Sequence, residues 1–342
     1  MASAGERFLP AARLIVRGRI GPVAASVAEV RDRLRGGLVP AVPVPRTADG
    51  ALAVAAQEAY AAYLATQPVV GVAVWVHTGR GLHLPVEMRR QVLRSWRQAM
   101  GRERLVIAGA GAPPDAADCD AEARRMAEEA RDLGADALLC FPPVRYRGDP
   151  AGIVAYHQAL AEAGLPLLLF YLYEAAGGVT YSLDVLTELF ALPSVAGIKM
   201  ATLDSVMTFQ DVARLLRRQF PGTVLVTGED RFLGYSLLCG AESALIGMGA
   251  ALPAPQAALV ATRPTDDPAR FVRLTVAIDD FAQATFRAPM EGYIRRMLWA
   301  LADTGVIPEA ATHDPVGPPL AAWEREDVRA ATRRLAAVAG AL

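Results

Sequence analysis

The chain has 342 residues, 53% of them hydrophobic, and a formal net charge of −1 at pH 7. So even a balance argues against the basic surface that nucleic-acid binding requires. No uninterrupted apolar run reaches the roughly 18 residues of a membrane span, and residues 1–10 lack the apolar core of a secretory signal, so a cytoplasmic protein is expected.

Residues 1–36 form an N-terminal extension with a helix expected over 23–34. Short apolar runs follow at 38–44, 70–76, 105–109, 135–141, 165–171, 195–199, 223–227 and 243–247. Their starts lie mostly about 28–35 residues apart, with a shorter last step, which is the period of a strand plus its crossover helix. The runs are apolar throughout, as strands covered on both faces must be. Eight such units predict an α/β fold, a (β/α)8 TIM barrel over 37–253. Between the runs lie amphipathic stretches such as 121–133, ended by Gly134, and N-cap candidates at Ser182 and at Asp204 or Ser205. Residues 254–342 carry no strand signal. Helical stretches at 269–286, 290–304 and 323–339, broken by a proline-rich segment at 307–319, predict a C-terminal helical subdomain.

Cys119, Cys140 and Cys239 show no metal-site spacing and are expected as free thiols; no metal or cofactor is expected. The basic residues are more informative. Of the 35 Lys plus Arg residues, only Lys199 is lysine. Arginine replaces lysine wherever a charge suffices, but it stays protonated and cannot form an imine with a carbonyl. A lysine that survived by chance would sit on the surface, whereas Lys199 has the apolar flanks VAGIKMA of a buried strand end.

Barrel active sites lie at the C-terminal strand ends. Lys199 ends the sixth run and Tyr171 the fifth, and adjacent strands are about 4.8 Å apart, so both side chains are expected in one cavity. The second run ends in HTGRG at 77–81, whose amides and hydroxyl suit a carboxylate. A lysine amine in an apolar mouth is partly deprotonated near neutral pH and attacks a ketone. The resulting iminium acidifies the neighbouring carbon and yields an enamine. Tyr171 would relay protons, or else pack as a core aromatic. His77 is either an acid, base or hydroxyl ligand within the pocket, or a loop hydrogen-bonder; His83, His157 and His313 are expected on the surface or in loops. Glu229 and Asp230 either touch a hydroxylated substrate or, preferably, cap the next helix. Gly109 and Gly111 serve turn geometry rather than a nucleotide, and Arg145 and Arg147 are candidates for a second anionic group.

VAGIKMATLD at 195–204 resembles the Schiff-base lysine motif, VGIKEATGD, of the dihydrodipicolinate synthase and N-acetylneuraminate lyase superfamily. HTG at 77–79, GADALLCFPP at 134–143, FY at 170–171 and GED at 228–230 resemble further family segments in order, so the resemblance covers roughly residues 36–340. It implies Lys199 as Schiff-base former, Tyr171 as proton relay, and Thr78 with the Gly79 amide as carboxylate site. It also places Leu245 near a position whose backbone lines the pocket, and implies a homo-oligomer, dimer or tetramer. The departures are Ala176 for a substrate-binding arginine, His77 for a threonine, Arg80 and Met200 for glutamates, and Arg145 for a tyrosine lent by a neighbouring subunit. A true dihydrodipicolinate synthase is therefore not expected. The expected activity is that of a Schiff-base lyase or aldolase acting on a small pyruvate-type 2-oxo acid, sugar-derived ones included. The alternatives are a Schiff-base dehydratase of a deoxy-oxo sugar acid and a non-catalytic oxo-acid-binding barrel.

Overall fold

The computed structural model describes residues 25–342 except 114, 204 and 263. Most of the extension, the start of the helix expected at 23–34 and the candidate cap Asp204 thus lie outside the described residues. The described helix is Val27–Leu34, opened by a capping box in which Ser26 Oγ accepts the Glu29 N–H and the Glu29 carboxylate accepts the Ser26 N–H.

Eight strands follow: β1 Leu38–Pro40, β2 Gly71–Val74, β3 Leu105–Ala110, β4 Ala137–Cys140, β5 Leu167–Leu172, β6 Val195–Ala201, β7 Val224–Thr227 and β8 Ser243–Ile246. All pair in parallel in the order β1-β8-β7-β6-β5-β4-β3-β2. A bridge between Ala41 and Ala73, with the Val42 N–H donating to the Ala73 carbonyl at 3.1 Å, brings β1 onto β2. The expected barrel is thus the observed fold, and every strand residue is buried. Side chains alternate between two apolar layers. On β5, Leu168, Phe170 and Leu172 fill the barrel interior, while Leu167, Leu169 and Tyr171 pack outward on the helices. β6 runs two residues past its expected end, so Lys199 lies inside the strand, level with Phe170 on β5 and Val226 on β7.

After the barrel come the helices Pro253–Ala261, Pro268–Thr285, Tyr293–Asp303 and Ala322–Ala339. Arg296, fully buried, organises this layer. It donates to Glu324 at 2.7 Å and to the carbonyls of Thr285, Arg287 and Pro289 at 3.2, 2.9 and 3.3 Å. A buried guanidinium is tolerated only when paired in this way, and the pairing holds the segment 285–291 across the C-terminal mouth of the barrel.

Candidate active site

Lys199 is 6% exposed and projects into a small mouth-side cavity that opens to solvent. Its stem lies against Gly228, where an added Cβ would come within 2.5 Å of the lysine Cε. Its Nζ stands 4.4 Å from the centroid of the Phe170 ring. Burial lowers the amine pKa to about 8, against the opposing pull of Asp230 and Glu229.

Those two carboxyls follow β7. Glu229 accepts the Thr202 N–H at 2.5 Å, the Thr202 hydroxyl at 2.8 Å and the Leu203 N–H at 3.0 Å. The bonds secure Leu203, whose φ of 50° is costly for a residue bearing a Cβ. Asp230 accepts the Met248 N–H at 2.7 Å and lines the cavity with Lys199. Burial raises both carboxyls to about 7, opposed first by their backbone hydrogen bonds and then by Lys199. The expected helix-capping role is corrected: the next helix, Leu233–Leu238, has no side-chain cap, and the carboxyls instead bind the loops after β6 and β8.

Across the cavity, His77–Gly79 forms a single 3-10 turn after β2. The Thr78 hydroxyl lies 2.8 Å from that of Tyr293, and both line the cavity with Gly247. His77 Nε2 meets Glu291 at 2.8 Å, and Arg80 donates to Glu291 at 2.6 Å and to Asp314 at 2.9 Å. Burial alone would raise the Glu291 carboxyl, but His77 and Arg80 outweigh it and hold the pKa at about 2. The turn is therefore fastened to the C-terminal layer.

Lys199, Thr78 and His77 come together as expected; other placements differ. Tyr171 is turned away from the cavity, packing edge-on against Tyr181 at 5.6 Å with its hydroxyl on Thr180. Strand alternation is the reason: the residue level with Lys199 is Phe170, which has no hydroxyl, and Tyr173 lines the cavity instead. The Gly79 N–H is committed to the Val76 carbonyl at 3.0 Å. The Leu245 side chain is packed in the barrel core opposite Val39, and the lining residue near it is Gly247, just past β8. Neither arginine considered for an anion reaches the cavity, since Arg145 covers the Tyr146 ring and Arg147 donates to the Gly178 carbonyl. His157 is fully buried rather than exposed, with Nδ1 2.8 Å from the Ile153 carbonyl. The sequence reading missed Phe170, Phe286, Met290, Glu291 and Tyr293. A period-two count from Lys199 and its neighbour strand would have found the first; no local signal marks the others.

The profile of the Dihydrodipicolinate synthetase family matches residues 34–333. A 4-hydroxy-tetrahydrodipicolinate synthase of Methanosphaerula palustris is 28% identical over 57% of this chain and 64% of its own length. The chain thus spans less than two thirds of that relative. A probable mitochondrial 4-hydroxy-2-oxoglutarate aldolase of Emericella nidulans is 27% identical over 63% of this chain and 71% of its own length. Among solved structures, the Ruminococcus gnavus sialic acid aldolase shares the fold with a TM-score of 0.76 at 20% identity, covering 89% of this chain and 98% of that one.

Proposed function

Given that the chain belongs to the dihydrodipicolinate synthetase family, a family of lyases and aldolases, we propose that it forms a Schiff base between Lys199 and a pyruvate-type 2-oxo acid and makes or breaks a carbon–carbon bond beside that carbonyl. The observation that carries this reading is the sole lysine, buried in a cavity at the strand ends with its amine pKa lowered to about 8. At neutral pH a useful fraction is then the free nucleophile.

The steps follow from the lining. The Lys199 amine adds to the ketone carbon, water leaves, and the iminium is held beside the Phe170 ring face, which favours a cation. The acid's carboxylate is oriented by the Thr78 hydroxyl, itself positioned by Tyr293. A proton leaves the adjacent carbon to give the enamine, which adds to an aldehyde; in reverse, bond cleavage leaves the same enamine. Phe170 cannot carry protons where Tyr171 was expected to. Asp230, raised to about 7 and therefore present in both forms near neutrality, is the group on this wall that can exchange them. Ala176 at the rim supplies no cation for a carboxylated second substrate, which supports an activity other than dihydrodipicolinate synthesis.

The test is peptide-mass analysis after borohydride reduction with pyruvate. A pyruvate-sized adduct on Lys199, absent in Lys199→Arg, is expected. Folded protein that gives no adduct with pyruvate or any longer 2-oxo acid would sink the proposal. An enamine that expelled hydroxide would mark the dehydratase alternative, and product analysis separates the two.

A further inference from the structure

From the outer half of the cavity we infer that the second substrate, or the part of a longer oxo acid that leaves as an aldehyde, is an uncharged aromatic aldehyde. This rests on the Schiff-base reading of Lys199. On β5 and β6 the pair Leu172–Ala201 lies one step beyond Phe170–Lys199, about 7 Å nearer the mouth. Whatever reacts with the enamine must therefore extend past Leu172. Of the residues lining the cavity, Leu172, Tyr173, Ala176, Leu203, Phe286 and Met290 give it a largely apolar wall, with the His77–Glu291 pair beside it. Phe286 stacks on Tyr293 with centroids 4.6 Å apart, making a flat wall on the side of the C-terminal layer.

Charge sharpens the choice. Among the described residues lining the cavity, Lys199 is the only lysine or arginine, and Asp230 and Glu291 are carboxyls. A carboxylated or phosphorylated aldehyde would place its anion beside Glu291 with no cation to receive it. The Arg80 guanidinium is already shared by Glu291 and Asp314, at 2.6 and 2.9 Å. On that wall only Tyr173 carries a hydroxyl, so a polyhydroxylated chain would set most of its hydroxyls against Leu172, Ala176, Leu203, Phe286 and Met290, which offer them no strong partner. A flat apolar ring meets neither penalty and packs on the Phe286 face.

The chemistry balances without an added reagent. Pyruvate loses a C3 proton as its Lys199 iminium becomes the enamine, C3 bonds to the aldehyde carbon, and the aldehyde oxygen takes up a proton. Water then hydrolyses the iminium, releasing a 4-aryl-4-hydroxy-2-oxo acid and restoring the amine. Nothing is oxidised or reduced.

The experiment measures kcat/KM of the full-length enzyme at fixed pyruvate with benzaldehyde, glyceraldehyde, glyoxylate and glyceraldehyde 3-phosphate, with borohydride trapping of pyruvate run alongside. At least a tenfold preference for benzaldehyde over each of the others is expected. Ala176→Arg, which adds a cation at the rim, is expected to shift the preference towards glyoxylate by a similar factor. Trapping of pyruvate with benzaldehyde unreactive, or with a charged or polyhydroxylated aldehyde preferred, overturns the inference and leaves the Schiff-base reading standing. A failure of trapping itself overturns that reading, and the inference with it.

Discussion

Lys199, Phe170 and Asp230 on the floor of the cavity come from β5, β6 and the turn after β7, whereas Phe286, Met290, Glu291 and Tyr293 on its rim come from the C-terminal layer. The floor is placed by backbone ladders, whose spacing hardly depends on side chains. The rim is placed by side-chain pairs: Arg296 with Glu324 and several carbonyls, and Arg80 with Glu291 and Asp314. Reaction chemistry can therefore persist in the barrel while the layer above changes what is admitted, a division that strand-end sites permit.

The sharpest cut on the floor is Lys199→Arg, which keeps the charge and removes the imine-forming amine. Turnover is expected to fall by a factor on the order of 10³ or more, and the borohydride adduct to vanish. A variant that still formed the adduct would place the nucleophile elsewhere. On the rim, Arg296→Met strands the buried Glu324 carboxyl and should cost about 3–5 kcal/mol of stability, read by denaturant unfolding. A loss under about 1 kcal/mol would show that the rim is not held by this pair.

Thr78→Val joins the two regions, because its hydroxyl is bonded to Tyr293. Loss of a hydrogen bond to a charged carboxylate removes about 1.5–3 kcal/mol, so KM for pyruvate is expected to rise about tenfold or more with the adduct still forming. The trapping rate itself should climb with pH below about 8, as Lys199 loses its proton, and level off above. Asp230 holds that pKa up by stabilising the ammonium, so Asp230→Asn should move the rising limb to lower pH; movement the other way contradicts the assigned field. The smallest effect is expected for Tyr171→Phe. That hydroxyl faces Thr180 outside the cavity, so turnover should change by less than about twofold while stability drops by about 1 kcal/mol. A large fall in turnover would return the proton relay to Tyr171.

The barrel was legible because eight apolar runs at a strand-plus-helix period admit few other arrangements, and Lys199 stood out because arginine cannot do imine chemistry. The placement of Tyr171 went wrong at a single residue. The fifth apolar run ends at 171, but β5 spans Leu167–Leu172 and its level pairing puts Phe170, not Tyr171, beside Lys199. In a two-residue period a shift of one exchanges the cavity for the outer layer. Gly79 was misjudged for a related reason, since a 3-10 turn consumes its own N–H within the chain.

By itself, then, the amino-acid sequence determined the α/β barrel, the single imine-capable side chain and its place near a strand end, all of which follow from periodicity and functional-group chemistry. Only the tertiary structure decided which neighbour faces that amine, that Glu229 and Asp230 reach back to buried loops, and that residues 286–293 close the mouth more than eighty positions after Lys199. Those choices depend on strand register and on ion pairs between segments remote in sequence, and no local pattern encodes either.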